Sequence, residues 1–325
     1  MKYKLFSNSG ESVSQLGFGA MGLGGSFGAH DESYLIRSIL HCLDKGVNFI
    51  DTARGYGVSE RIVGKALKEW NGTRPFVASK AASRSSSIGW GTSIPVEDAY
   101  PVGSIRASVE ESLKQMDIET IDLMQMHQFW PQWDDVDYWM EDLLRLQEEG
   151  KIRFIGISLP DHRHDMAISL VRSGKIASVQ TILNIFDPIA LDNLVPICQK
   201  EGVAVIARCI LDEGGLTGFL QKDTTFKDKD FRKSFFESVN REDYLNRVNR
   251  LNKFVPQYAP SLAQLAIKFA IHHPGVTTAL TSMNIIEYAD ENIAAIEQES
   301  LPEDIFLELA RKHRWIRNLY EAYYW

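Results

Sequence analysis

Val47-Asn48-Phe49-Ile50-Asp51 is an apolar run that ends in a carboxylate, and after one short loop a helical pattern from Ser59 to Trp70 follows it. The same unit recurs on both sides. Upstream, Leu16-Gly17-Phe18-Gly19 precedes a helix over Ser33–Lys45. Downstream, Pro75–Lys80, Ile121–His127, Ile152–Ser158, Val179–Leu183, Val203–Arg208 and Val276–Leu280 have the short apolar character of strands. Helical patterns follow them at Gly103–Met116, Val136–Glu149, Asp165–Arg172, Ile189–Lys200, Arg241–Phe254 with Ser261–His272, and Ile285–Gln298. Nearly all-apolar strands belong to a parallel sheet buried on both faces. Strict alternation through eight units predicts a closed (β/α)8 TIM barrel rather than an open sheet. Lys2–Ser7 and Ser12–Gln15 flank Asn8-Ser9-Gly10 and predict an N-terminal β-hairpin across the barrel floor. The tail beyond Leu301, with Trp315, Tyr320, Tyr323, Tyr324 and Trp325, is expected as a C-terminal helical extension packed outside. No linker or composition shift divides residues 1–325, so one α/β domain is expected.

The composition narrows the function. The chain has 325 residues, 44% of them hydrophobic, and a formal net charge of -8, which argues against nucleic acid as the main partner because phosphate binding needs clustered Lys and Arg. Cys42, Cys198 and Cys209 are odd in number and widely spaced, so neither a disulfide framework nor a bound metal is expected. His162, His164, His272 and His273 form no ligand pattern and read as surface or helix-end residues. No apolar run is long enough for a signal peptide or a membrane span, and a cytoplasmic protein is expected.

In barrels of this kind chemistry sits at the carboxyl ends of the strands. Those ends carry Asp51, Lys80, His127, Ser158, Gln180 and Arg208. Reducing a carbonyl needs a hydride at carbon and a proton for the developing alkoxide. A tyrosine phenol, with a reference pKa of about 10, is a poor acid near neutrality. A neighbouring ammonium stabilises the phenolate, and a carboxylate can hold that ammonium in place. Tyr56 lies one loop beyond Asp51, Lys80 arrives from the next strand, and His127 can donate to the substrate oxygen.

These residues resemble the aldo-keto reductase superfamily. The resemblance is carried by Asn48-Phe49-Ile50-Asp51-Thr52-Ala53-Arg54-Gly55-Tyr56-Gly57 with Ser59-Glu60, by Ala78-Ser79-Lys80, and by Gln125-Met126-His127. Gly156-Ile157-Ser158, Val179-Gln180, Asp212-Glu213-Gly214-Gly215-Leu216-Thr217-Gly218, Pro274–Ala279 and Glu291-Asn292 extend it over most of the chain. It implies a catalytic tetrad of Asp51, Tyr56, Lys80 and His127, with Tyr56 as general acid. It also implies a nicotinamide cofactor whose carboxamide is held by Ser158 and Gln180. Arg208 would stack on the nicotinamide where an aromatic ring is usual. The Asp212–Gly218 stretch, with Glu213 and Gly215, would fold over the pyrophosphate, and Glu291 and Asn292 would contact adenine. Leu211, Ser282 and Asn284 complete the cofactor set. NADP(H) is the cofactor the resemblance implies, yet Asn284 stands where a phosphate-reading Arg is common, which leaves NAD(H) open as well. Leu159 replaces a frequent Asn, and the Tyr56–Glu60 loop is shorter than usual.

Substrate contacts are expected from Met21, Trp90, Phe129 and Trp130 on the active-site face. The substrate would be a small aldehyde or ketone, with a sugar or keto-sugar among the candidates. Oxidation of a sugar alcohol, or a regulatory subunit that senses redox state through its cofactor, remain alternatives. Gly17-Phe18-Gly19-Ala20-Met21-Gly22 fits the GxGxxG spacing, but a Rossmann turn would open directly into a helix, and loop is expected to Ser33. Lys222–Arg232 is expected as a solvated loop.

Overall fold

The computed structural model describes residues 1–28, 30–84, 91–228 and 230–315. Strands β1 (Tyr3–Leu5) and β2 (Ser12–Ser14) form an antiparallel hairpin. Eight parallel strands then close a barrel: β3 (Leu16–Gly19), β4 (Phe49–Asp51), β5 (Phe76–Ala81), β6 (Ile121–Met126), β7 (Ile152–Ser158), β8 (Ser178–Ile182), β9 (Ala204–Arg208) and β10 (Val276–Ser282). They pair in sequence order, and β10 closes the ring between β9 and β3. The expected (β/α)8 barrel and its N-terminal hairpin are both present.

Strand alternation sorts the side chains by layer. On β4 and β5 the inward positions run Phe49, Asp51 and Phe76, Ala78, Lys80, and on β6 they run Leu123, Gln125. The lower members, with Phe6, Val13, Ala204, Ile206 and Leu280, make a separate apolar cluster inside the barrel. Phe6 from the hairpin is the plug, its ring 4.6 Å from Phe76 and 5.9 Å from Phe154. A buried carboxylate supports the same end: Asp122 accepts from Arg74 at 2.6 Å, Arg153 at 2.8 Å and the Val77 amide at 2.8 Å. The upper inward positions are polar, so the barrel is dry below and ionisable above.

The outer ring comprises α1 (Glu32–Asp44), α2 (Ser59–Glu69), α3 (Val96–Ala99), α4 (Ser104–Met116), α5 (Tyr138–Glu148), α6 (Ile168–Arg172), α7 (Leu194–Glu201), α8 (Phe231–Glu237), α9 (Arg241–Asn249), α10 (Leu262–His272), α11 (Ile286–Glu297) and α12 (Glu303–Lys312). Local chemistry fixes their ends. Asp31 caps α1 by accepting from the Ser33 amide at 2.9 Å, and Ser261 caps α10 through Gln264 at 3.2 Å, each satisfying an amide without a partner in the helix. The inward stripe of α1 (Leu35, Ile36, Ile39, Cys42, Leu43) recurs at helical spacing and is buried.

Several expectations change in detail. The stretch after β3 is a 3-10 turn at Ala20–Gly24, not open loop, and α1 starts at Glu32. The helix expected over Ile189–Lys200 breaks at Asp192 and Asn193 into a 3-10 turn and α7. Lys222–Arg232 is not simply solvated, because α8 begins at Phe231 and the Arg232 guanidinium lies over the rings of Phe219 and Phe27 at 4.8 and 5.6 Å. The Phe231 amide donates to the Ser26 carbonyl at 3.0 Å, so the segment after β9 reaches the loop after β3. The C-terminal extension is helical over α12, Trp315 packs on Phe186 at 5.7 Å, and the remainder of the aromatic tail lies outside the described residues.

Candidate active site

Asp51 ends β4 and Lys80 nearly ends the neighbouring β5, both buried. Asp51 pairs in register with Ala78, so Lys80 sits two residues higher and its side chain turns back. Its Nζ donates to Asp51 Oδ1 and, at 2.9 Å, to the Thr52 carbonyl. Tyr56 lies in the turn between β4 and α2, where its amide donates to the Ala53 carbonyl at 3.1 Å. Its hydroxyl is hydrogen-bonded to Lys80, whose Nζ is 4.8 Å from the ring centroid. His127 follows β6 and meets the Tyr56 ring edge-on, with centroids 5.6 Å apart at 79°. Tyr56 and His127 are partly exposed, so the ion pair lies beneath and the two proton-bearing groups stand at the mouth. The four residues expected to act together are brought together.

Burial dominates the electrostatics. It pushes the Tyr56 phenol above its ordinary value, although Lys80 pulls the other way, with Asp51 opposing Lys80. Burial alone would weaken the Lys80 ammonium, but Asp51 and then Tyr56 outweigh it and hold the pKa up. For His127, burial first and then the charges of Lys80 and Arg208 keep the imidazole well below its ordinary range. Near neutrality this leaves a protonated phenol, an ammonium and a neutral imidazole side by side.

Gln125 is a functional candidate to which the sequence pattern gives no role. Its Nε2 donates to Asp51 Oδ2 at 3.0 Å, and Gln180 Nε2 donates to the same oxygen at 2.9 Å. The available signal was a glutamine at an inward position of a strand, two residues before His127. Gln180 is thereby committed through its nitrogen and keeps its oxygen for another donor.

The rim fits a dinucleotide. Ser158 and Gln180 pair in register on β7 and β8. Arg208 is tethered by Asp161 at 2.5 Å and the Leu159 carbonyl at 3.0 Å, while its buried Nε has no acceptor among the described residues. Leu211 opens the turn after β9, in which Glu213 has φ 56° and Gly214 has φ 92° with open space where a side chain would stand. Gly215 is required there, since a Cβ would lie 1.8 Å from the Tyr244 hydroxyl oxygen. At the other end Ser282 donates to Asn284 Oδ1 at 2.7 Å, and the buried Asn284 Nδ2 finds no acceptor among the described residues. Glu291 accepts from Ser261 at 2.7 Å, and Asn292 is buried on α11. No lysine or arginine occurs between Lys268 and Arg311.

The substrate side needs correction. Phe129 is a core residue with no exposed surface, its ring 6.2 Å from Trp133 and 6.1 Å from Trp139. Trp130 is buried with its Nε1 lacking an acceptor among the described residues. Met21 is partly exposed on the turn after β3, and Trp90 lies outside the described residues. His164 is not a surface residue: it is buried and bonded to Thr181 Oγ1 at 2.7 Å and to Asp187 at 3.2 Å. Asp187 also holds His162 at 2.6 Å, which anchors the loop after β7. Among the described residues no cluster of His, Cys, Asp or Glu could hold a metal ion, and no helix is long and apolar enough to cross a membrane.

Fold and site together define a barrel oxidoreductase. A sequence model of the aldo/keto reductase family matches residues 15–313, and the chain belongs to that family. It is 30% identical over 290 residues to the aldo-keto reductase YhdN of Bacillus subtilis, covering 86% of this chain and 84% of that one. It is 29% identical over 302 residues to the NADH-specific methylglyoxal reductase of Escherichia coli, covering 88% and 90%. Among solved structures, the glycerol dehydrogenase AKR11B4 of Gluconobacter oxydans aligns with a TM-score of 0.77 at 26% identity, over 96% of this chain and 95% of that one. The protein is accordingly an NAD(P)-dependent oxidoreductase acting on small carbonyl compounds.

Proposed function

We propose that the protein reduces an aldehyde or ketone to the alcohol, with Tyr56 as the proton donor. The observation that carries this reading is Lys80 bonded at once to Asp51 and to the Tyr56 hydroxyl, beside a neutral His127. When bound, the nicotinamide supplies the hydride to the carbonyl carbon. His127 donates to the carbonyl oxygen and fixes it beside the phenol. Tyr56 passes its proton to the oxygen as negative charge develops there, and Lys80 stabilises the phenolate left behind. Asp51 keeps Lys80 charged and aimed.

Ser158 and the Gln180 oxygen would hold the carboxamide, Arg208 would lie against the nicotinamide, and Leu211, Glu213 and Gly215 would form the turn over the pyrophosphate. Ser282, Asn284, Glu291 and Asn292 would line the adenosine end. NADH is the favoured cofactor, because a 2′-phosphate needs a cation and the segment around Asn284 has none. Met21 and the unpaired Trp130 N–H would line the substrate side, and a small oxygenated carbonyl compound suits them. Oxidation of a polyol is the same chemistry reversed, and the likeness to a glycerol dehydrogenase keeps that direction in view.

The test is Tyr56→Phe. Turnover should fall by about a thousandfold, while dinucleotide binding, followed by fluorescence, stays unchanged. Wild-type turnover in this variant would overturn the reading.

A further inference from the structure

Behind the Tyr56–Lys80 pair lies a second buried ion pair that the proposed reaction does not use. Glu60, in the first turn of α2, has a carboxylate only 1% exposed. Its Oε2 meets Arg54 Nη1, and its Oε1 accepts from Ser79 Oγ at 2.7 Å. Arg54 is two residues before Tyr56, and Ser79 is one residue before Lys80. A single carboxylate is thus bonded to both the turn that carries the phenol and the strand that carries the ammonium.

The turn needs such a tether. It contains Gly55 and Gly57, both exposed, and glycine gives the backbone more freedom than any other residue. Its own backbone bonds are few: Tyr56 to Ala53 at 3.1 Å, Ser59 to Tyr56 at 3.1 Å, and a long contact from the Arg54 amide to the Lys80 carbonyl at 3.3 Å. Packing alone does not explain the charges, because apolar residues of the same volume replace a buried ion pair at little or no cost in stability. What apolar residues do not supply is a directional hold on two separate segments.

We propose that Glu60 is a positioning residue which, through Arg54 and Ser79, sets the spacing of the Tyr56 hydroxyl from the Lys80 ammonium and thereby the acidity of the phenol. The proposal rests on Tyr56 being the proton donor. A displaced phenol loses part of the cation's help, so its pKa rises and it becomes a weaker acid. Small misplacements of reacting groups have large rate effects.

The experiment compares Glu60→Gln, the double variant Glu60→Met with Arg54→Met, Arg54→Lys and Tyr56→Phe. Each is measured for kcat, KM, pH profile, dinucleotide affinity and thermal unfolding. Glu60→Gln and the double variant should lose about tenfold or more in kcat, with dinucleotide affinity unchanged. Their alkaline limb should move up by about half a pH unit, whereas Arg54→Lys, which keeps a cation on Glu60, should retain most of the wild-type kcat and limb. The double variant leaves no buried charge unpaired, so it decides the matter if Glu60→Gln does not fold. Wild-type kcat and an unmoved limb in the folded double variant overturn the proposal, as does a rate loss without a shift of the limb. If Tyr56→Phe is inactive and the double variant is unaffected, the brace alone fails. If Tyr56→Phe is fully active, the reading of Tyr56 fails and the brace has nothing to position.

Discussion

Gln125 and Gln180 donate to the same oxygen of Asp51, at 3.0 and 2.9 Å, while Lys80 holds the other. Every acceptor direction of this carboxylate that faces the barrel is therefore answered by a donor. Asp51→Asn removes more than a charge. Whichever way the amide turns, an NH2 group faces either the Lys80 ammonium or two glutamine N–H groups, and a buried donor facing donors is costly. Asp51→Asn should lower kcat by about a hundredfold or more and also lower the thermal midpoint. A variant that loses activity with unchanged stability would show that the donors do not converge as described.

The pH dependence should lack an ordinary histidine limb. Burial, Lys80 and Arg208 depress His127, so the imidazole is neutral above that lowered pKa and gains its proton only when the pH falls through it. The rate constant kcat/KM for reduction should stay flat from about pH 8 to about pH 6. The Tyr56 phenol is raised, and reduction needs its protonated form, so activity is lost only as pH rises through that high value. A fall in kcat/KM centred near the ordinary histidine value would contradict the assignment of a neutral His127.

The proposed preference for NADH rests on the buried Asn284 and the absence of lysine and arginine between Lys268 and Arg311. NADH should bind at least about tenfold more tightly than NADPH. Asn284→Arg should narrow that ratio by improving NADPH affinity. Equal affinities in the unmodified protein would place a cation for the phosphate elsewhere on the rim.

Gly24 has no room for a side chain: a Cβ there would lie 2.3 Å from the Tyr56 carbonyl oxygen. Gly24→Ala should push the Tyr56 turn outward, reduce kcat by about tenfold or more and lower the thermal midpoint, because the clash is with backbone. Unaltered kinetics would mean that the turn has slack.

Much of this architecture is legible in the residues themselves. The apolar strands with polar carboxyl ends give the barrel, and Asp51, Tyr56, Lys80 and His127 are found where strand ends meet. The roles of Gln125 and Glu60 are not legible, because each depends on which neighbour its amide or carboxylate reaches across strands. Phe129 as a substrate contact and His164 as a surface residue fail for a related reason, although His164 does open a short 3-10 helix. Lying in loops near the mouth, they have the sequence context of accessible residues, whereas tertiary packing against Trp133 and Trp139, or against Asp187, buries them. The helix α8 was hidden by the charge of the segment around it, since Arg232 is stabilised by aromatic rings distant in sequence.

The closed floor gives a separate expectation. Asp122→Ala would leave the buried Val77 amide without its acceptor, while the half-exposed Arg74 and Arg153 keep Thr120 and Glu11, so stability should drop by about 1–3 kcal/mol. Denaturant unfolding would measure that loss, and KM and kcat of the remaining folded enzyme should not move.

That plug of Phe6 against Phe76 and Phe154 also bears on how the protein can change over time. Because closure is achieved at one end and substrate is met at the other, altered specificity need not be bought with a weakened scaffold. Apart from fixed points such as Gly24, His127 and Gly215, the loops after β3, β5, β6 and β9 can diversify while the hairpin and its aromatic seat hold the ring shut. Divergent relatives of such a chain should differ most at the mouth and least around the plug.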